Sequence, residues 1–164
     1  MDIQHRTSAP GGIVKKQDLA SLTAEDIMST TVLSLYQEAP LDEAVQLFID
    51  NNVSAVPVLD DAGKAVGVFT KTDLARFEGE RRGLPSEEKR PKVAKGKKGK
   101  DFVKTWMTPF VMTVKPDASL PAIARTMVKN GLHHIFVKSG PDLIGIISTF
   151  DVLRFVSRSL NSDN

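Results

Sequence analysis

The feature that most restricts this chain is that it carries one pattern twice. Shifting the sequence by 79 residues lays Met28-Ser-Thr-Thr-Val-Leu-Ser-Leu35 on Met107-Thr-Pro-Phe-Val-Met-Thr-Val114, and Leu41, Asn51 and Val58 on Leu120, Asn130 and Val137. A one-residue slip at the Gly63/Asp142 turn then brings Gly67-Val-Phe-Thr70 onto Gly145-Ile-Ile-Ser148, Asp73 onto Asp151, and Arg76-Phe77 onto Arg154-Phe155. Only ten of the 48 aligned pairs are identical, so the signal lies in the shared order of apolar, turn and polar positions. A unit of about 55 residues buries its apolar surface poorly alone, and a second copy solves that.

Each copy reads as short helix, strand, helix, strand, strand, helix. Thr23, with Asp26 three residues on, is a loose capping-box signal for the first short helix. Val32–Leu35 predicts a brief strand, and Pro40 opens a helix in which Leu41, Ala44, Val45, Leu47 and Phe48 keep helical spacing. Ala55–Leu59 and Ala65–Thr70 are β-branched runs around Asp60-Asp61-Ala62-Gly63, a hairpin signal. A last helix starts near Lys71 and carries Leu74 and Phe77. The second copy repeats this with Val111–Val114, a helix on Leu120, Ile123, Ala124, Met127 and Val128, then Ile135–Val137, Leu143–Ser148 and Phe150–Val156. The expected fold class is α+β, two β-α-β-β-α repeats packed sheet to sheet about a pseudo-twofold axis. The expected divisions are a polar N-terminal tail over 1–20, a first domain over 21–78, a Lys-rich flexible linker over 79–100 and a second domain over 101–160.

Composition matters here for what it excludes. Hydrophobic residues at 41% and charged residues at 26% make a foldable chain rather than a disordered one. No apolar stretch approaches the roughly 20 residues that cross a bilayer, and Met1–Arg6 has no apolar signal core, so the expected location is the cytoplasm, with no membrane partner. The chain has no cysteine, which removes disulfides, thiol catalysis and cysteine-ligated metal centres. The net charge of +2 is the sum of two unlike parts: seven basic residues and no acid over 89–100, and −5 over the remainder. The basic balance therefore belongs to one segment and not to the folded surface. With no HExxH, GxSxG or Walker phosphate loop either, no catalytic set is found and no enzyme is expected.

The paired motifs resemble the tandem cystathionine-β-synthase (CBS) domain pair, or Bateman module. The resemblance rests on Ile27-Met28 and Trp106-Met107 opening each copy and on Val53-Ser-Ala-Val-Pro57-Val-Leu-Asp60 in the first. It rests also on the closing element, Gly67-Val-Phe-Thr70-Lys-Thr72-Asp73 and Gly145-Ile-Ile-Ser148-Thr-Phe150-Asp151. It spans about 23–77 and 102–158. It implies a regulatory sensor that binds an adenosyl ligand (AMP, ADP, ATP or similar) between the tandem repeats, with no cofactor required. Local chemistry agrees: a strand ending in Thr or Ser and running into a helix offers hydroxyls and backbone N–H groups to phosphate. An Asp at the third helical position is an acceptor for ribose hydroxyls, although Thr70 and Asp73 also read as an ordinary helix cap.

By resemblance, a first pocket would use Met28, Thr31, Leu33 and Val53 around the base, with Thr70, Thr72 and Asp73 toward ribose and phosphate. His133 and His134 fall where nucleotide-sensing relatives, such as the regulatory subunit of AMP-activated protein kinase, carry a phosphate-contacting His-Arg, and they are assigned to the same pocket. A second, weaker pocket would use Met107, Phe110, Met112, Leu132, Ser148 and Asp151. It is expected to be weaker because Phe150 replaces the Thr72 hydroxyl, and Phe136 stands where the first copy has Pro57. The expected partners are an adenosyl small molecule, a second copy of the chain in a homodimer, and an unnamed regulated protein. Two alternatives remain at this point: a ligand-free dimerisation scaffold, and nucleic-acid or polyanion binding through basic residues 89–104.

Overall fold

The β-branched runs form the two hairpins and the spaced apolar residues form the helices beside them. The structure, a computed structural model, describes residues 18–83 and 101–160. A 3-10 turn (Asp18–Ala20) precedes α1 (Ala24–Ile27), β1 (Leu35–Tyr36), α2 (Leu41–Asn51), β2 (Ala55–Leu59), β3 (Ala65–Thr70) and α3 (Lys71–Arg81). The second copy gives α4 (Val103–Trp106), β4 (Thr113–Val114), α5 (Leu120–Asn130), β5 (His134–Ser139), β6 (Asp142–Ser148) and α6 (Thr149–Leu160). This is an α+β chain with two three-stranded sheets, ordered β1-β2-β3 and β4-β5-β6. Among the described residues no helix is long and apolar enough to cross a membrane.

The expected N-terminal tail and linker fall largely outside the described residues, and their described ends are ordered into elements. Asp18–Ala20 turns because Leu19 and Leu22 pack against a core. Helix α3 takes in residues 79–81, which the composition had placed in the linker. Arg81 pairs with Glu78 at 2.9 Å on its last turn, and Gly83, at φ +73°, follows where the chain turns away.

The chain divides into two compact units, and the division does not follow the repeats. One unit is Val32–Val111; the other joins Met1–Thr31 to Met112–Asn164. The short helix that opens each copy is thus built into the unit that holds the other copy's sheet.

In the Val32–Val111 unit, β1 runs parallel to β2, with Leu35 opposite Val58 and Tyr36 opposite Leu59, and β2 is antiparallel to β3. The expected strands over 32–35 and 111–114 both begin late, at Leu35 and Thr113, and Pro57 supplies the reason that β1 starts one residue later than β4. In the second sheet, the Phe136 N–H bonds the Met112 carbonyl at 3.0 Å and Thr113 already pairs with Phe136. Proline has no N–H to give, so the matching rung at Leu33–Ser34 is missing and the ladder starts one residue further on. The core is Leu35, Leu41, Ala44, Phe48, Val56, Val58, Phe69 and Val103, with Phe48 and Phe69 stacked at 5.9 Å. Helix α4 is held to the β1–α2 connection by Val103 N–H to the Ala39 carbonyl at 2.9 Å and Leu41 N–H to the Asp101 carbonyl at 2.9 Å. Beyond α4, Thr108 pairs with Val68 on the outer edge of β3 through two backbone bonds of 2.9 Å.

The other unit repeats each step with α1. Ala24 N–H reaches the Ala118 carbonyl at 2.8 Å, and Leu120 N–H the Leu22 carbonyl at 2.8 Å. Ser29 then pairs with Ile146 on the edge of β6 at 2.9 and 3.0 Å. The core joins Ala24 and Ile27 of α1 to Leu120, Ile123, Met127, Ile135, Val137, Ile147 and Phe155.

Both edge contacts need a glycine. A Cβ on Gly67 would stand 2.7 Å from Met107 Sδ and 2.7 Å from the Thr108 carbonyl oxygen. A Cβ on Gly145 would overlap Met28 Sδ and lie 2.8 Å from its Cγ. Gly67→Ala and Gly145→Ala are each expected to destabilise by about 1–3 kcal/mol through overpacking. A Met28→Ala background should relieve much of the Gly145→Ala loss, because that obstruction is side chain. Met107→Ala should not relieve Gly67→Ala, because the Thr108 carbonyl remains. Denaturant midpoints of the single and double variants measure this, and equal relief at both glycines would contradict the account.

Candidate functional site

The last strand of each hairpin ends in a hydroxyl residue that caps the following helix, and the third helical residue is an aspartate. In α3, Asp73 Oδ2 accepts from the Thr70 N–H at 2.9 Å and from Thr70 Oγ1–H at 2.7 Å, while the Asp73 N–H donates to Thr70 Oγ1 at 3.2 Å. In α6, Asp151 Oδ2 accepts from the Ser148 N–H at 2.9 Å and Oγ–H at 2.5 Å, and the Asp151 N–H returns to Ser148 Oγ at 3.2 Å. The first helical N–H is anchored too, Lys71 to the Ser54 carbonyl at 3.1 Å and Thr149 to the His133 carbonyl at 3.0 Å. Both aspartates are therefore structural caps.

They differ in burial. The Asp73 side chain is 4% exposed and that of Asp151 18%. An arginine one turn along each helix faces the second carboxylate oxygen, Arg76 at 3.4 Å and Arg154 at 3.2 Å. Sequence reasoning aligned these arginines without giving them a role; the signal was their place three residues after the Asp, where helical side chains meet.

Partly buried apolar residues lie in the same unit as each capped helix. Leu33, Val53 and Met107 pack against the core that carries Thr70, Thr72 and Asp73. Met28, Met112 and Leu132 do the same in the unit of Ser148 and Asp151. Thr72 is exposed on the first turn of α3. Thr31 and Phe110 are exposed, Phe110 at 59%.

The residues expected in each pocket are divided between the two units. Met28, Thr31, His133 and His134 were assigned with Thr70 and Asp73, and the structure places them in the unit of Ser148 and Asp151. Met107 and Phe110 were assigned with Ser148, and they lie in the unit of Thr70. For Met28, Thr31, Met107 and Phe110 the cause is the exchange of the short helices, which seats Met28 on Gly145 and Met107 on Gly67, whereas His133 and His134 stay with the sheet of their own copy.

His134 stands opposite Ser148 in the β5–β6 ladder, so the two side chains share a face, while His133 is exposed. Burial, with a smaller push from the neighbouring His133, holds the His134 imidazole below its usual value near 6.5, and Asp151 pulls it back upward. The imidazole is thus set beside the capped start of α6, where burial favours its neutral form.

The comparisons with known proteins fit this geometry. Protein MJ1225 of Methanocaldococcus jannaschii is 28% identical over 131 residues, covering 80% of this chain and 41% of that protein. Protein MJ1426 of the same organism is 29% identical over 79% of this chain and 88% of its own length. The homoserine O-acetyltransferase of Methanohalophilus mahii is 26% identical over 85% of this chain but only 26% of the enzyme. The chain thus spans under half of several relatives it matches, 41% of MJ1225 among them. Among solved structures, the CBS domain pair of MJ0100 in complex with 5′-methylthioadenosine and S-adenosyl-L-methionine matches with a TM-score of 0.68 at 22% identity, over 83% of this chain and 96% of that one. CBSX2 in complex with AMP matches with a TM-score of 0.66 at 26% identity, over 83% and 96%. The CBS domain family model matches residues 24–80 and 101–158, and the chain belongs to that family, with two CBS domains in tandem.

Proposed function

We propose that this chain is a regulatory sensor module that binds an adenosyl ligand at the hydroxyl-capped starts of α3 and α6. The observation that carries the reading is the doubled assembly of a capped helix start, an aspartate and a partly buried apolar trio within each unit. Two structural relatives were solved with adenosyl ligands, one with 5′-methylthioadenosine and S-adenosyl-L-methionine and one with AMP, which supports that ligand class. In this reading the apolar trio of each unit holds the base, the aspartate accepts from the ribose hydroxyls, and the helix start, with the exposed Thr72 hydroxyl in α3, meets phosphate or its equivalent, while the Thr70 and Ser148 hydroxyls keep their protons on the aspartates. Asp151 Oδ2 already accepts two bonds while Oδ1 faces Arg154, and a carboxylate offers about four lone-pair directions in all. Cap and ribose acceptor are therefore compatible roles for Asp151. The module acts by binding, with no cofactor, and delivers its state to a regulated protein; the acetyltransferase match shows such a segment within a metabolic enzyme.

Calorimetry against AMP, ADP, ATP, S-adenosylmethionine and 5′-methylthioadenosine tests this directly, and no binding to any of them at millimolar concentration would overturn it. Asp73→Asn and Asp151→Asn should each weaken one binding event by about 10- to 100-fold, the loss expected for a hydrogen bond to a charged acceptor. Circular dichroism should show the fold retained.

A bound phosphate beside His134 raises the affinity of the imidazole for a proton. Binding should therefore take up a proton, and affinity for AMP should rise as pH falls from 8 through 6.5. Calorimetry in buffers of different ionisation enthalpy measures the uptake. His134→Gln should remove it, adenosine should show none, and an unchanged uptake in the variant would refute the role.

A homodimer is also proposed, on the exposed apolar residues of the outer helices. Ile49 on α2 and Val128 on α5 are repeat-equivalent and 69% and 84% exposed, and Leu153 on α6 is 63% exposed. Val128→Glu and Leu153→Glu should convert a dimer to monomer in sedimentation without lowering the melting temperature. A wild-type monomer at micromolar concentration would contradict this. The basic residues that suggested polyanion binding lie mostly outside the described residues.

A further inference from the structure

The Val32–Val111 unit contains a linkage that its counterpart lacks. Arg76 Nη2 lies 3.4 Å from Asp73 Oδ1 and donates to the Trp106 carbonyl at 2.5 Å. The guanidinium also sits 5.7 Å from the centre of the Trp106 ring, within cation–π range. The indole meets Phe77 edge-on at 5.2 Å and 73°, and its buried Nε1 has no hydrogen-bond partner among the described residues. Immediately beyond Trp106 come Met107, seated on Gly67, and Thr108, paired with Val68. In the other unit, Arg154 keeps its carboxylate, at 3.2 Å from Asp151 Oδ1, but lies over the exposed Phe150 ring at 5.1 Å. Ile27 stands in place of Trp106, and no bond from Arg154 to its carbonyl is present among the described residues.

We infer that Arg76 is a positioning residue that couples occupancy at the Asp73 carboxylate to the docking of segment 106–108 on β3. The inference rests on the ligand reading of Asp73 given above. One guanidinium divides its donors between a carboxylate, with 4% of its side chain exposed, and a carbonyl at the end of α4. Hydrogen bonds donated to Asp73 by a ribose change the pull on that guanidinium, and the change is felt at the Trp106 carbonyl. Segment 106–108 is also the stretch that covers the β3 edge just before the chain leaves this unit after Val111. By reciprocity, firmer docking of the segment raises affinity at Asp73. Both contacts leave from one guanidinium nitrogen, Nη2, while the group lies within cation–π range of the indole, so a shift of that nitrogen toward one acceptor draws it from the other.

The test needs no ligand for its first arm. Hydrogen exchange of the Thr108 amide, which donates to Val68, reads docking of the segment, and the Val58 amide in β2 reads global stability. Arg76→Gln and Asp73→Asn should each speed Thr108 exchange about 10-fold relative to Val58, and the double variant should be no faster than either. Arg76→Lys serves if Asp73→Asn fails to fold, and should speed Thr108 as Arg76→Gln does. Arg154→Gln should leave Thr108 unchanged. Strictly additive effects of the two variants, or an equal response to Arg154→Gln, would overturn the coupling. In the second arm, AMP should slow Thr108 exchange and shift the emission of Trp106, the chain's single tryptophan, in wild type. Arg76→Gln should still bind AMP in calorimetry but show neither change. Binding without either change in wild type would overturn the coupling, whereas absence of binding overturns the ligand reading and leaves the first arm to decide the linkage.

Discussion

The structure depends on covering the open edge of each hairpin. Strands β3 and β6 pair with a neighbour on one side only, and a bare strand edge exposes backbone groups that another chain can take up. The second residue after each short helix supplies the missing rung, Thr108 on Val68 and Ser29 on Ile146. The preceding methionine packs on a glycine that no other residue can replace without a collision. A helix of one turn has little stability of its own. Here α1 and α4 are held by their burial, by the edge pairing and by the bonds to the loop before α2 or α5. The unit assembled in this way is what positions Met28 and Met107.

Local chemistry was legible wherever one residue decides the conformation. The runs Ala55–Leu59 and Ala65–Thr70 are strands over the expected residues, and the turn between them is fixed by Asp60, whose carboxylate accepts from the Ala62 and Lys64 N–H groups. The Thr23–Asp26 pair does cap α1, with the carboxylate accepting from both the Thr23 N–H and Oγ1–H. What pattern reading missed was the exchange of the short helices. A 79-residue repeat looks the same whether each short helix serves its own sheet or the other, because the apolar face it needs is present in both. The late start of β1 was missed for a different reason: Pro57 acts on its neighbour in the sheet, not on its own strand.

For the candidate site, the motif residues were readable and their company was not. The Thr/Ser-x-x-Asp spacing specifies a reciprocal cap, and both caps form. Which methionine joins each cap is a tertiary fact, set by the exchange, whereas His134 reaches the α6 cap through the hairpin of its own copy. The arginines were visible as identical aligned residues, yet only the structure shows that Arg76 is shared between a carboxylate and the end of another helix.

The two units also divide what is common from what is particular. Glycine, aspartate and arginine recur at equivalent positions because they hold backbone: an edge approach, a cap, and the charge beside it. The differences fall on side chains around the capped helix, where Thr72 is matched by Phe150, Ala55 by His134 and Trp106 by Ile27. The shared aspartate and arginine themselves sit differently in the two units, Asp73 being the more buried and Arg76 alone reaching a carbonyl on a neighbouring helix. On the proposed reading, the start of α3 offers the exposed Thr72 hydroxyl and a linkage to a neighbouring helix. The start of α6 offers an imidazole whose charge follows pH and an aromatic ring under an arginine. One site is then built to convey occupancy, and the other to weigh the charge on what occupies it.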